Sequence, residues 1–321
     1  MIRKLGFALA ALAAGAATAS ADPVRLGLQP WLGYGPLWVA EEKGFFEKHG
    51  VDVELTNFNW DQDMTAALAS GNLDVIAAAT NTTIVNINQG VDQMGFLVMD
   101  LAFEADAILA GEGIESIADL KGKTVAFESG TTSDLLMNYA LRENGMSIAD
   151  IQHVPMGASE AGLALIAGRV DAAVTYEPYV STALSQDESF KVIYTAAEKP
   201  GLISDMLTAT SDWIEANPEA VQGLIRAWDD AINFIRENPE EGEAMIAEAV
   251  GSPMEEFKPA FEGVRLYNVA ENVEFLEGEF QATIQEIGEI MMETNPSEIK
   301  KVPSADEILA LDNLYAVANE Q

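Results

Sequence analysis

The chain has 321 residues, with 17 Lys or Arg against 52 Asp or Glu and a formal charge of −35. So large an excess of acid opposes binding to nucleic acid or to an anionic membrane surface, and it favours solubility in a salty medium. There is no cysteine, so no disulfide staples the fold and no thiol can carry a lipid, which favours a free periplasmic protein over a tethered one.

The first residues address the compartment. Met1-Ile2-Arg3-Lys4 is a short basic start, residues 5–17 are almost wholly Ala, Leu, Gly and Phe, and Ala19-Ser20-Ala21 has the small-x-small form of a cleavage site. This pattern predicts a signal peptide over residues 1–21, cut before Asp22, and export to the periplasm of a Gram-negative cell. The apolar run is too short to span a bilayer and no later run is long enough, so no direct membrane insertion is expected. Losing Arg3 and Lys4 takes the formal charge from −35 to −37 and leaves 300 of the 321 residues. That length suffices for one large domain or two lobes.

Beyond the leader, Val24-Arg25-Leu26-Gly27-Leu28 reads as a strand, 37–48 as a helix ending at Gly50, and 51–55 as a second strand. Ala67-Leu68-Ala69-Ser70-Gly71-Asn72-Leu73-Asp74-Val75-Ile76 then reads as a helix end, a glycine cap and a buried strand. The same design returns 97 residues later as Ala164-Leu165-Ile166-Ala167-Gly168-Arg169-Val170-Asp171-Ala172-Ala173. Between them lie a strand over 123–127, a helix over 133–144 ending at Gly145, and a strand over 151–154. Each half therefore alternates strand and helix, which implies right-handed crossovers and mainly parallel sheets. The predicted class is α/β with two similar lobes, each a mainly parallel sheet flanked by helices.

A short strand over 207–210 and a helix capped by Asp212 follow, and from Pro218 the chain is mostly helical. Helices over 220–237 and 279–293 carry apolar stripes and acidic faces. This tail is expected on the first lobe, so the chain must cross between lobes near Phe103-Glu104-Ala105 and again near Gly201-Leu202-Ile203. The division is then 22–104 plus 203–321 for lobe I and 105–202 for lobe II, with a hinged cleft between them as the ligand site.

Ligands of open parallel sheets bind beyond the carboxyl ends of the strands. In the first lobe those loops present Trp31 and Tyr34, Trp60, and the polar pair Asn81 and Thr82. In the second they present Ser129, Gly130, Thr131 and Thr132 at a helix start, where free N–H groups suit an anion; the same residue types also suit an ordinary N-cap. Glu177 follows the apolar strand 172–176, and Asp106 and Asp205 sit beside the two crossings. If two or more of these acids face the cleft, a ligand with an ammonium group would satisfy them; otherwise their burial is costly.

No catalytic pattern competes. His49 and His153 share no spacing, and no HExxH, GxSxG, phosphate-binding GxxxxGK[ST] or Cys/His metal motif occurs. Neither an enzyme nor a cofactor is expected.

The run from Trp31-Leu32-Gly33-Tyr34-Gly35-Pro36 to Gly44-Phe45-Phe46 resembles the opening signature of nitrate/sulfonate/taurine-type ABC-transporter substrate-binding proteins. Residues 67–74, Asp119-Leu120-Lys121-Gly122-Lys123 and Val174-Thr175-Tyr176-Glu177-Pro178-Tyr179 resemble it too, so the likeness spans about 24–228. It implies a type II periplasmic binding protein, monomeric, with two hinge crossovers, that serves a membrane permease and its ATPase. By that resemblance Trp31, Tyr34, Trp60, Asn81, Thr82, Ser129 to Thr132, Glu177 and Asp205 line the cleft. An acid near Asp205 resembles taurine-type members, while Glu177 is an additional carboxylate. Together they favour a zwitterionic aminosulfonate such as taurine, or alternatively a cationic amine or a pyrimidine-type thiamine precursor. A pyrimidine-precursor synthase is the rival enzyme, but such proteins carry a cysteine-rich motif. The sensing half of a transcription regulator would need a DNA-binding domain, and the charge is wrong for it.

Overall fold

The computed structural model describes residues 22–320, so the expected leader over 1–21 lies outside the described residues. The strands are β1 (Val24–Leu28), β2 (Val53–Asn57), β3 (Val75–Ala79), β4 (Met94–Ala102), β5 (Asp106–Ala110), β6 (Thr124–Phe127), β7 (Gln152–Pro155), β8 (Ala172–Tyr176), β9 (Lys191–Thr195), β10 (Ser204–Ala209) and β11 (Val264–Leu266). They form two sheets, in the orders β11-β4-β10-β3-β1-β2 and β7-β6-β8-β5-β9.

The 97-residue repeat is a structural repeat. β1 pairs in parallel with β2 and β3, and β6 pairs in parallel with β7 and β8. The repeated glycines Gly71 and Gly168 take the left-handed conformation, with φ of 71° and 64°, which ends each helix without a Cβ clash. The repeated aspartates tie the third strand of each unit to the first. Asp74 accepts the Arg25 backbone N–H at 2.9 Å and pairs with its guanidinium at 2.7 Å, while Asp171 accepts the Thr124 N–H at 2.8 Å.

Outside these units the sheets are antiparallel. β10 runs against β3 and β4, β11 against β4, and β5 against both β8 and β9, so both sheets are mixed where mainly parallel pairing was expected. The reason lies in the crossings. β4 runs through 103–105 into β5, and the chain returns from β9 into β10, so β5 and β10 enter their sheets from the end where the parallel strands finish.

Several local expectations change. The helix expected over 37–48 is two, Gly35–Glu42 and Phe45–Lys48, split where Gly44 turns left-handed. Thr210, not Asp212, caps the helix Ser211–Ala216: its hydroxyl accepts the Trp213 N–H at 3.2 Å, and Asp212 already lies inside the helix. The long amphipathic helix Pro218–Glu237 packs on Gly35–Glu42, while Phe280–Thr294 packs on elements of both repeat units. It lies against Thr80–Asn88 of the first unit and Thr132–Glu143 of the second, and Arg142 reaches Glu293 at 3.1 Å. Among the described residues no helix is long and apolar enough to cross a membrane.

β4 is pinned by one fully buried amide. Asn272 accepts the Val98 N–H and donates to the Val98 carbonyl, both at 2.8 Å. Asn272→Ala leaves both groups unsatisfied, and is expected to lower unfolding stability by about 2 kcal/mol, read by urea denaturation.

Candidate functional site

Because β5 and β10 enter from the carboxyl ends of the parallel strands, their first residues face the gap between the sheets. Asp106 opens β5 opposite Tyr176, the last residue of β8; Asp205 lies in β10 opposite Ala79, the last residue of β3. The two aspartates therefore hold equivalent places in the two units. Both line a cavity of about 30 Å³, together with Asp61 from the start of the helix Asp61–Ala69. Gln29, Trp31 and Tyr34 close it from the first unit; Thr131, Thr132, Ser133 and Tyr176 close it from the second. None of the described residues lining it is Lys, Arg or His.

The aromatic residues are fixed by acids. Trp31 donates its indole N–H to the carboxylate of Asp100, at 3.2 and 3.3 Å, and its ring meets Tyr176 edge to face at 5.6 Å. Tyr34 donates its hydroxyl to Asp205 Oδ1 at 2.8 Å. Asp100 and Asp205 are direct neighbours across β4 and β10 and share a hydrogen bond. Burial, then the nearby Asp205, pushes Asp100 well above the usual carboxylate range. Burial pushes Asp205 up to about 7 against the hydrogen bonds from Tyr34 and Asp100, and pushes Asp61 up to about 6 against one with Gln29.

Asp106 differs. It is 4% exposed and lies well above the usual range through burial and then the charges of Asp205 and Glu177. Its carboxylate takes no hydrogen bond from any described residue, although it borders the cavity. Its oxygens open onto that space, where solvent or a ligand can hydrogen-bond to them.

Glu128, directly after β6, crosses the gap. Its carboxyl accepts the backbone N–H groups of Asp61 and Gln62, while its Oε1 has no partner. Burial and then the Asp61 charge push it up to about 8. It thus fixes the helix start that carries Asp61. Gly157 also meets the first unit closely: a Cβ there would stand 3.0 Å from the Asn59 carbonyl.

The expected site residues divide into groups. Trp31, Tyr34, Asp106, Thr131, Thr132 and Asp205 are brought together around the cavity. Thr82, Ser129, Gly130 and again Thr131 line an adjoining hollow of about 720 Å³, which shares Asp61 with the cavity. Asn81 lies beneath, 3.5 Å from the Thr132 hydroxyl, with its amide nitrogen unpartnered; the Thr82 hydroxyl is unpartnered too. Trp60 is half-buried beside Gly157 and borders neither space. Glu177 does not point into the cleft, because its carboxylate is drawn to the start of the helix Tyr179–Gln186, where Ser181 donates N–H at 3.0 Å and O–H at 2.9 Å.

Sequence reasoning had not singled out Asp61, Asp100, Glu128 or Tyr176. A signal for Asp100 was available: it is the one charged residue in the otherwise apolar run Met94–Ala102. Nothing local distinguishes Asp61 from the chain's many other acids.

A family model described as NMT1/THI5 like matches residues 32–242. A protein of Brucella abortus (strain 2308), named only as a binding protein, is 30% identical over 234 residues, 68% of this chain and 69% of that one. The 4-amino-5-hydroxymethyl-2-methylpyrimidine phosphate synthase of Uromyces fabae is 28% identical over 207 residues, 60% of each chain. Among solved structures, the periplasmic aliphatic sulphonate binding protein SsuA from Escherichia coli aligns with a TM-score of 0.70 at 24% identity, over 92% of this chain and 100% of that one. The two-lobed architecture is thus the periplasmic binding protein fold.

Proposed function

The chain belongs to the NMT1/THI5-like family, and from that premise we propose that it is the periplasmic solute receptor of an ABC importer, closing two lobes on a small cation. Residues 22–104 with 203–321 form one lobe and 105–202 the other, and the closed form presents its solute to a membrane permease coupled to an ATPase. The observation that carries the ligand charge is Asp106: an unpaired buried carboxylate facing Asp61 and Asp205, with no basic residue around the cavity. Among the described residues no group of three or more His, Cys, Asp or Glu is arranged to hold a metal ion.

An aminosulfonate such as taurine would need an anion site beside these acids. At the loop that offers one, Asp134 takes the Gly130 N–H at 2.9 Å and the Thr131 hydroxyl donates to the Glu128 carbonyl at 3.0 Å, which leaves the unpartnered Asn81 amide nitrogen and Thr82 hydroxyl as the side-chain donors an acid group could use. An enzymatic reading finds little support. There is no cysteine, and neither histidine borders the acidic cavity: His49 pairs with Asp230, and His153 stacks on Phe127.

A thermal-shift screen tests the reading. Methylammonium, choline, an aminopyrimidine, taurine, methanesulfonate and nitrate are each added to the mature protein. A cation at 100 times its Kd is expected to add about 2.7 kcal/mol of stability, with no shift from the simple anions. Shifts produced by methanesulfonate or nitrate alone would reject a cation receptor.

A further inference from the structure

Three carboxylates, those of Asp61, Asp106 and Asp205, border the cavity, and several of the donors beside them are taken. Tyr34 already donates to Asp205, Thr131 to the Glu128 carbonyl, and Gln29 is bonded to Asp61. Asp106 then stands with both carboxylate oxygens unserved by any described residue while 4% exposed. A positive charge alone would lower the electrostatic cost of these oxygens but would leave their lone pairs unfilled; only a ligand that donates hydrogen bonds completes them.

Shape points the same way. A quaternary ammonium is recognised by open aromatic faces arranged around its methyl groups. Here the rings face each other: Trp31 meets Tyr176 edge to face at 5.6 Å, Tyr176 meets Tyr179 likewise at 5.5 Å, and the indole N–H is held by Asp100. A space of about 30 Å³ accepts one or two water-sized groups, less than a nitrogen with three methyls requires. The rest of a ligand can extend past Asp61 and Thr131 into the adjoining hollow of about 720 Å³.

We infer that the head group taken by this cavity is a compact cation bearing N–H donors, a primary ammonium or an amidinium, and that N-methylation is what the site rejects. This rests on the cationic reading above. Asp106 is the acceptor that sets the preference, with Asp205 and Asp61 completing the ring of oxygens from the other lobe.

Calorimetric titration of the mature protein with methyl-, dimethyl-, trimethyl- and tetramethylammonium, and with acetamidinium, separates donor number from charge. Affinity is expected to fall about tenfold at each N–H replaced, the loss of one charge-assisted hydrogen bond per step. Acetamidinium, larger than methylammonium but richer in N–H, is expected to bind at least as tightly. Tetramethylammonium or potassium ion binding as well as methylammonium would overturn the donor inference and leave the cation reading standing. Binding of taurine or methanesulfonate with no response to any cation would overturn both.

Discussion

Asp106→Asn is expected to weaken methylammonium binding about 100-fold without lowering the melting temperature of the ligand-free protein. Truncating or neutralising one member of a buried charge pair costs roughly 2–5 kcal/mol of binding, most of it from the charge left uncompensated. The substitution keeps shape and volume, so the lobes can still close. It also removes a carboxylate whose burial beside Asp205 and Glu177 is unfavourable when ligand is absent, so the empty protein should melt at the same temperature or higher. Calorimetry and melting curves on the same preparation provide the check. Glu177→Gln supplies the contrast: its carboxylate is bound to Ser181, away from the cavity, and its loss should change affinity by less than about threefold. Equal losses from both substitutions would mean that the cleft acids act through their general field and that Asp106 makes no direct contact.

Affinity for a cation is expected to rise steeply with pH, by about tenfold per unit for each proton displaced, between roughly pH 6 and 8. In the ligand-free protein Asp61 is pushed up to about 6 and Asp205 to about 7, chiefly by burial, and Asp106 lies well above its usual range. A cation requires Asp61 and Asp205 ionised, so below about 6 and 7 its binding must expel their protons. Methylammonium itself stays charged throughout. Stability of the empty protein has the opposite sign. A carboxyl whose folded-state value is raised contributes stability that is fully present below its unfolded value near 4 and is lost as pH rises through the folded value. Asp61, Asp205 and Glu128, at about 6, 7 and 8, should therefore make the empty protein melt lower at pH 8.5 than at pH 5.5. The stabilisation added by methylammonium should grow over the same interval. Melting curves at three pH values with and without ligand test both signs, and a ligand whose affinity falls with pH would point to an anion.

Much of the architecture was legible in the residues. The 97-residue repeat, with its Gly71 and Gly168 caps and its Asp74 and Asp171 ties, comes from short-range rules: a left-handed helix end needs glycine, and a strand start needs its N–H satisfied. Such rules act within a few residues or between adjacent strands, so they leave a local signature. The same is true of Trp31 and Tyr34, which stand in a strand-end loop that any parallel unit would aim at a cleft. What the sequence determined by itself was therefore the two units, their order, and the loops that face the gap.

Which acids share that gap was decided only by tertiary structure. Asp106 and Asp205 are 99 residues apart in the chain and meet because β5 and β10 enter antiparallel from the ends where β8 and β3 finish. Asp100 joins them through a strand register, and Glu128 meets Asp61 across the gap between the two sheets. In a chain with 52 acidic residues, composition cannot tell these from a solvated carboxylate. Glu177 shows the converse: its position in a strand-end loop suggested the cleft, and its carboxylate is held by two donors from Ser181. A carboxylate goes where its charge is best satisfied, and that choice depends on neighbours that folding, not sequence proximity, supplies.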